Sequence, residues 1–358
     1  MLRLNMPLND ASLLLSDLAR ARDRLALSPL NGYRVRVVSS GLGDMLALAA
    51  LQSAIGDLLG LRFEGVVLPA SYSRPYYADL VERLGLGSLS ADPMNSVELV
   101  LDGKRVTRSQ RTIEAELSDL VASHPASRTL VISFPSVAAA SGIQDHTALR
   151  KGFFDSRFRA EVVKLGRNLF STAEHPRTVT LHLRLGDVAA VRIGGFVVIP
   201  VFALREDHPA GAVRDADVAR VAVTRVALSV VDECLEAARL LRKRFSGVKL
   251  QLVSDGYDRA RQFLLRPDVR ARLSSRGLDY QPPQIEPFLQ ATESRIRNSG
   301  LFDRIVFGES DSQEWMASVE CLLHSGTVIS SARGFVASML TFFLPEHGHR
   351  RFYSPLNS

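Results

Sequence analysis

The sequence predicts an α/β protein built as two halves, each alternating strands with helices, with a cleft between them. Three observations point there. Apolar strands such as YRVRVVSS (33–40) and TVTLHLRLGD (178–187) are each followed by a turn and a helical stretch, the order that builds parallel sheets with helices on both faces. The alternation then stops and restarts: periodicity fades through SVAAASGIQDHTALRKG (136–152), and STAEHPR (171–177) reads as a proline-containing linker. Finally, the 358 residues exceed twice the length of an ordinary domain, so two domains of similar size are expected, 1–175 and 176–358.

Each element follows from its local pattern. Asn9-Asp10 supplies a helix cap, and leucines at 13, 14, 18 and 25 mark one side of a helix that Asn31-Gly32 ends. Strand 33–40 leads through Gly41-Leu42-Gly43-Asp44 into an apolar helix from Met45. RFEGVVLP (62–69) is a strand, YYADLVERLGL (76–86) a helix, and VELVLDG (97–103) and RTLVISF (128–134) are further strands. After the linker, strand 178–187 precedes a long helix over 217–245. GVKLQLVSD (247–255), DRIVFG (303–308) and GTVISSARGF (326–335) are strands, and 257–265, 312–325 and 336–344 are helices.

Composition bounds the function. With 46% apolar and 23% charged residues the chain is ordinary globular material. Lys plus Arg exceed Asp plus Glu by 44 to 38, an excess that suits an anionic ligand. Two cysteines, Cys234 and Cys321, are too few for a disulfide framework and are expected to be free thiols. The first residues lack a basic-then-apolar signal and no apolar run reaches membrane-spanning length, so a soluble, cytoplasmic protein is expected. The basic runs at 104–111 and 242–244 lack interleaved aromatics, the pattern of solvated faces rather than of nucleic-acid binding.

The strand TVTLHLRLGDV carries the chemistry. His182 and Arg184 are two apart and share a face, whereas Leu181, Leu183 and Leu185 fill the other. A parallel strand is ordinarily apolar on both faces, so Arg184 needs a counter-charge at the strand's carboxyl end, where open α/β sheets bind ligands. Guanidinium matches phosphate through paired donors, and Gly186 leaves room for it. The alternative is internal: Arg184 paired with Asp187 or another acid, and His182 a satisfied core histidine.

H-x-R-x-G-D, here His182, Arg184, Gly186 and Asp187, resembles the first motif of the inverting fucosyltransferases, the superfamily of α-1,2-, α-1,6- and protein O-fucosyltransferases. LQLVSDGYDRA (250–260) looks like their second motif, WMASVECLLHSGTVISSARGF (315–335) is similar to their third region, and VVSSGLGDMLALAALQSAIG (37–56) resembles their Gly-rich opening. The resemblance implies a GT-B-like fold, two Rossmann-like domains facing a cleft, with the acceptor side N-terminal and the donor side C-terminal. It implies inverting fucosyl transfer from GDP-fucose to a glycan or glycoconjugate hydroxyl, with no metal and no cofactor beyond the donor. Arg184 would hold the β-phosphate as the catalytic residue, and His182 would contact the nucleotide, with Gly186 and Asp187 beside it. Asp255 would recognise guanine or ribose, with Ser254 beside it in the donor site, and Ser330 and Ser331 would donate to the diphosphate; where the third motif departs from the family, Arg333 could itself meet a phosphate. Two departures stand. Ala332-Arg333-Gly334 separates the serines from Phe335, and the stretch VAAVRIGGFVVIPV after the first motif holds no carboxylate before Glu206, so no catalytic base is assigned.

Gly41 and Gly43 with Asp44 form a second candidate, a turn whose backbone can approach a ligand at a helix N-terminus. Dinucleotide binding there would need a third glycine where Leu46 stands, and an acid after the next strand rather than Glu64 before it. A plain strand-to-helix turn fits equally. Heptosyltransferases also open with a strand and a Gly-Asp turn, so another nucleotide sugar, or nucleotide or glycan binding without turnover, remains open. Asp215 and Asp217 spell D-x-D but open a long helix, where acids complement the dipole. His347 and His349 lack partners at zinc spacing.

Overall fold

A computed structural model describes residues 8–38, 42–72, 76–92, 95–101, 112–135, 147–166, 175–184, 191–193, 196–198, 227–255, 267, 271, 285–307, 311–330, 342–343 and 351–353. The chain divides into two packed units, Met1–Phe170 with Ala337–Gly348, and Ser171–Val336 with His349–Ser358. Sequence reading expected everything after residue 175 to form the second domain. Instead the segment 337–348 joins the first unit, where Phe342 stacks edge-on against Phe153 and Phe158, at 6.3 and 6.1 Å between ring centres.

In the first unit the elements run α1 (Leu8–Leu25), β1 (Gly32–Arg36), α2 (Leu42–Leu58), β2 (Arg62–Val67), α3 (Tyr76–Arg83), β3 (Ser96–Val100), α4 (Ile113–Ser123), β4 (Thr129–Ser133), α5 (Thr147–Asp155) and α6 (Arg157–Gly166). The sheet is parallel, in the order β2-β1-β4-β3. Alternation sorts β1: Tyr33 and Val35 are fully buried, whereas Arg36 forks Glu98 through two hydrogen bonds of 2.8 and 2.9 Å. That pair is half-exposed and adds little stability. Tyr33 lies under Gly56 of α2; its hydroxyl bonds Ser53 at 2.7 Å and donates to Asp57 at 2.8 Å. Ser53 and Asp57 in turn accept from the backbone N–H groups of Phe158 and Arg157, which caps the start of α6. Burial is the largest influence on the Asp57 carboxyl and raises its pKa.

Two features differ from expectation. α1 starts at Leu8, so Asn9 and Asp10 lie within its first turn instead of preceding it. The unperiodic stretch around 147–152 is helical, and α5 and α6 both pack on α2. The reason lies in α2, whose residues 48 to 55 are almost all buried; a helix apolar all round must be covered all round.

α1 is held to α4 by a polar device. Asp17, 5% exposed, accepts from the N–H groups of Ile113 and Glu114 at 2.7 and 3.3 Å, and Arg20 and Arg24 pair with Glu114. Asp17→Ala removes that cap and strands buried donors. It is expected to lower stability by about 1–2 kcal/mol, read as a lower urea midpoint by circular dichroism, with Asp17→Asn recovering part of the loss through its amide oxygen.

The second unit contains β5 (His175–Arg184), a short antiparallel hairpin of β6 (Val191–Ile193) and β7 (Phe196–Val198), α7 (Ala227–Arg244), β8 (Lys249–Asp255), α8 (Ile285–Asn298), β9 (Arg304–Phe307), α9 (Ser312–His324), β10 (Ser325–Ser330) and β11 (Arg351–Tyr353). Its main sheet is parallel, in the order β11-β10-β5-β8-β9. Counted within the unit this is 5-4-1-2-3, the Rossmann order read from the other edge. α7 packs on β5 and α8, and α9 crosses β9, β8, β5 and β10.

The expected linker at 171–177 is partly strand, since β5 begins at His175 and includes Pro176. Proline is tolerated there because the β5–β10 ladder shifts register between Ser325 and Thr327. A Cβ on the intervening Gly326 would stand 2.7 Å from the Pro176 Cα. The long helix expected from residue 217 is described from Ala227. Its first part, with Asp215 and Asp217, lies outside the described residues, as do the helix expected at 257–265 and most of 336–344. Among the described residues no helix is long and apolar enough to cross a membrane.

Candidate functional site

Sheet order fixes where a ligand site of the second unit belongs. From β5 the chain moves one way, to β8 and then β9; from β10 it moves the other way, to β11. The β5/β10 boundary is therefore the topological switch point, and the crevice beyond the carboxyl ends of strands at such a point is where open α/β sheets take their ligands. β5 ends at Arg184 and β10 at Ser330.

Register brings the candidate positions together. Ser330 pairs with His182, and Asp255 pairs with Arg184. Residues paired across a parallel ladder share a face, so positions 182, 184, 255 and 330 share one face at the carboxyl end of three adjacent strands. Ser254 pairs with Leu183 and belongs to the other face. Its hydroxyl, fully buried, donates to the Leu183 carbonyl at 2.8 Å. Ser254, expected from the sequence in the donor site, is thus a tie between strands on the face opposite positions 182, 184, 255 and 330.

His182 and Ser330 form one unit across the switch point. Both are buried, at 3% and 0% exposure, and His182 Nδ1 lies 2.8 Å from Ser330 Oγ. The Ser330 hydroxyl, expected from the sequence to meet a diphosphate, bonds the imidazole and so holds the ring's orientation. One rung below, Thr180 Oγ1 meets Ser325 Oγ and lies 3.3 Å from the Cys321 carbonyl, to which Ser325 also donates. The polar side of β5 is thus matched by hydroxyls from β10, as burial of polar groups requires. A histidine held in this way beside the end of β5 presents a fixed ring to a ligand at no further ordering cost.

Several expected residues cannot join this description. Gly186, Asp187, Ser331, Arg333 and Gly41 lie outside the described residues, and Arg184 and Asp255 are described through their strand positions. Gly43 and Asp44 sit in the first turn of α2, in the first unit, so they belong to a different unit from the His182 cluster. Among the described residues no group of three or more His, Cys, Asp or Glu side chains could hold a metal.

The two cysteines are free. Burial pushes the Cys234 thiol up to about 12 and the Cys321 thiol up to about 11, so neither is a thiolate nucleophile at neutral pH. What sequence reading missed was the His182–Ser330 pairing. The only signal for it was the hydroxyl-rich start and end of GTVISS, which pattern alone cannot assign to a particular neighbour.

No protein-family model matches this chain, and no curated protein matches it.

Proposed function

We propose that the protein is a glycosyltransferase that moves a sugar, in the first instance fucose from GDP-fucose, to a hydroxyl of a glycan or glycoconjugate with inversion. The observation that carries this reading is the convergence of positions 182, 184, 255 and 330 on the carboxyl end of a Rossmann-ordered sheet at its switch point, where nucleotide phosphates are bound in such folds. A dinucleotide reading loses support at the same place. The sequence that follows the first strand of that sheet reads LGDVAAV, with one glycine where a G-x-G-x-x-G loop has three. The ligand chemistry favoured is a nucleoside diphosphate met by a guanidinium.

In this reaction the acceptor oxygen bonds to the anomeric carbon as the bond from that carbon to the β-phosphate oxygen breaks, and the acceptor proton leaves to solvent or a base. Negative charge grows on the departing diphosphate. Arg184 stabilises that charge more in the transition state than in the ground state, and His182, oriented by Ser330, contacts the nucleotide. The acceptor belongs to the first unit in this reading. Its Gly41–Asp44 turn is also how heptosyltransferases open, which makes a donor other than GDP-fucose the second reading.

Calorimetric titration with GDP, with UDP, ADP and NAD as competitors, tests the proposal. GDP binding displaced weakly by the others is the expected result. A preference for UDP or ADP keeps the transferase and changes the donor. Binding of NAD alone, or of no nucleotide, refutes the reading.

A further inference from the structure

At the opposite end of the second unit's sheet, two histidines meet that the proposed reaction does not use. His175 is the first residue of β5, exposed, and His324 is the last residue of α9, half-buried. The link between them is built into the ladder, because Ser325, directly after His324, pairs with His175. Their ring centres are 5.8 Å apart with planes at 74°, and Nε2 of His324 is shielded from solvent with no hydrogen-bond partner among the described residues. Two imidazoles sharing one ion at metal–nitrogen distances of about 2.0–2.1 Å have ring centres about 5–6 Å apart at tetrahedral or wider angles. A buried imidazole nitrogen without a partner is costly as it stands, and coordination to a metal ion would satisfy it.

We propose that His175 and His324 bind a divalent transition ion of the zinc and copper class, with water completing the coordination. Neutral imidazole selects zinc, copper and nickel over magnesium and calcium, which prefer oxygen. With no third protein ligand among the described residues, the ion is exchangeable rather than structural in the manner of a closed four-ligand site. The site lies at the amino-terminal edge of the strands, away from the carboxyl ends where the nucleotide is proposed to bind, so it stands independently of that proposal. It also offers a local reporter. Trp315, the only tryptophan, is nine positions before His324 on α9 (324 − 315), a rise of about 13–14 Å, within range of quenching by bound copper.

The test is titration of the metal-free full-length chain with Zn²⁺ by calorimetry and with Cu²⁺ by tryptophan fluorescence, in wild type, His175→Ala and His324→Gln. The expected result is one tight Zn²⁺ per chain and quenching by Cu²⁺, with Mg²⁺ silent. Loss of either ligand should weaken Zn²⁺ by more than the about 10-fold that removing an outer-shell partner costs. Because His175 is exposed, its alanine variant decides the matter even where His324→Gln fails to fold. Absence of Zn²⁺ binding in wild type, or binding unchanged in His175→Ala, overturns the proposal, since the ion would then sit on other histidines among the eight.

Discussion

Arg184→Ala is expected to lower sugar transfer by about 10²–10³-fold, the cost of removing one donor aimed at developing charge, and to leave the unfolding transition reported by Trp315 where it was. The argument rests on position. Residue 184 ends β5, a strand flanked on both sides by β10 and β8, two places beyond a histidine fixed by Ser330. In the proposed reaction, a cation there would stabilise the leaving diphosphate. A structural Arg184, paired with an internal acid, predicts the reverse pattern. Removing one member of a buried pair costs about 3–5 kcal/mol because the other charge is left uncompensated, so the Trp315 transition would fall steeply and GDP affinity would be untouched. Arg184→Lys sharpens the comparison. It keeps the charge and loses the planar fork, so intermediate activity marks paired contacts to phosphate oxygens.

Gly65→Ala is expected to destabilise the first unit by about 2–6 kcal/mol, combining a strained backbone at about 1–3 kcal/mol with overpacking of similar size. Gly65 has φ +133, a conformation that side-chain-bearing residues rarely adopt. It also follows a bulge, since the β1–β2 register jumps between Tyr33 and Arg34 and leaves Glu64 without a rung. The chain that follows runs along the outer edge of this strand: Ser90 bridges Val66, the N–H of Ala91 donates to the Val66 carbonyl at 2.8 Å, and a Cβ on Gly65 would stand 2.4 Å from the Leu89 carbonyl oxygen. That oxygen is backbone and has nowhere to go. Circular dichroism should show an early transition in urea, while the fluorescence of Trp315, which lies in the second unit, serves as the control. An unchanged dichroism midpoint would show that the strand can flatten and that the glycine is incidental.

The elements most legible in the sequence were those whose signal is local. β1, β2, β4 and β8 announce themselves as short apolar runs, and α9 as a stretch capped by Asp311, whose carboxylate accepts from the N–H of Glu314 at 2.8 Å. Elements whose reason is elsewhere in the chain were not legible. α5 and α6 form because α2 needs covering on every side. β11 is three residues, RFY, that become a strand only because β10 offers an unpaired edge. α8 buries a thin stripe through Thr292 and Ile296, both 1% exposed, in which the threonine is polar, so the stripe does not stand out by apolar period. The glycine of RFEGVV is visible in the sequence, yet nothing nearby says that residues 86–91 will run along the edge of its strand.

For the candidate site the division is the same. By itself the sequence determined that this is an α/β chain in two alternating halves, and that one strand carries a histidine and an arginine on a side where such strands are usually apolar, because side-chain alternation is a property of the strand alone. Only the tertiary structure decided which strands are neighbours: that β10, 148 positions away at Ser330, lies against His182, that Ser254 faces the other way, and that β5 and β10 part company at the switch point. Pairing order is set by which crossovers bury the most apolar surface in a right-handed turn, and that is a sum over the whole unit which no short stretch contains.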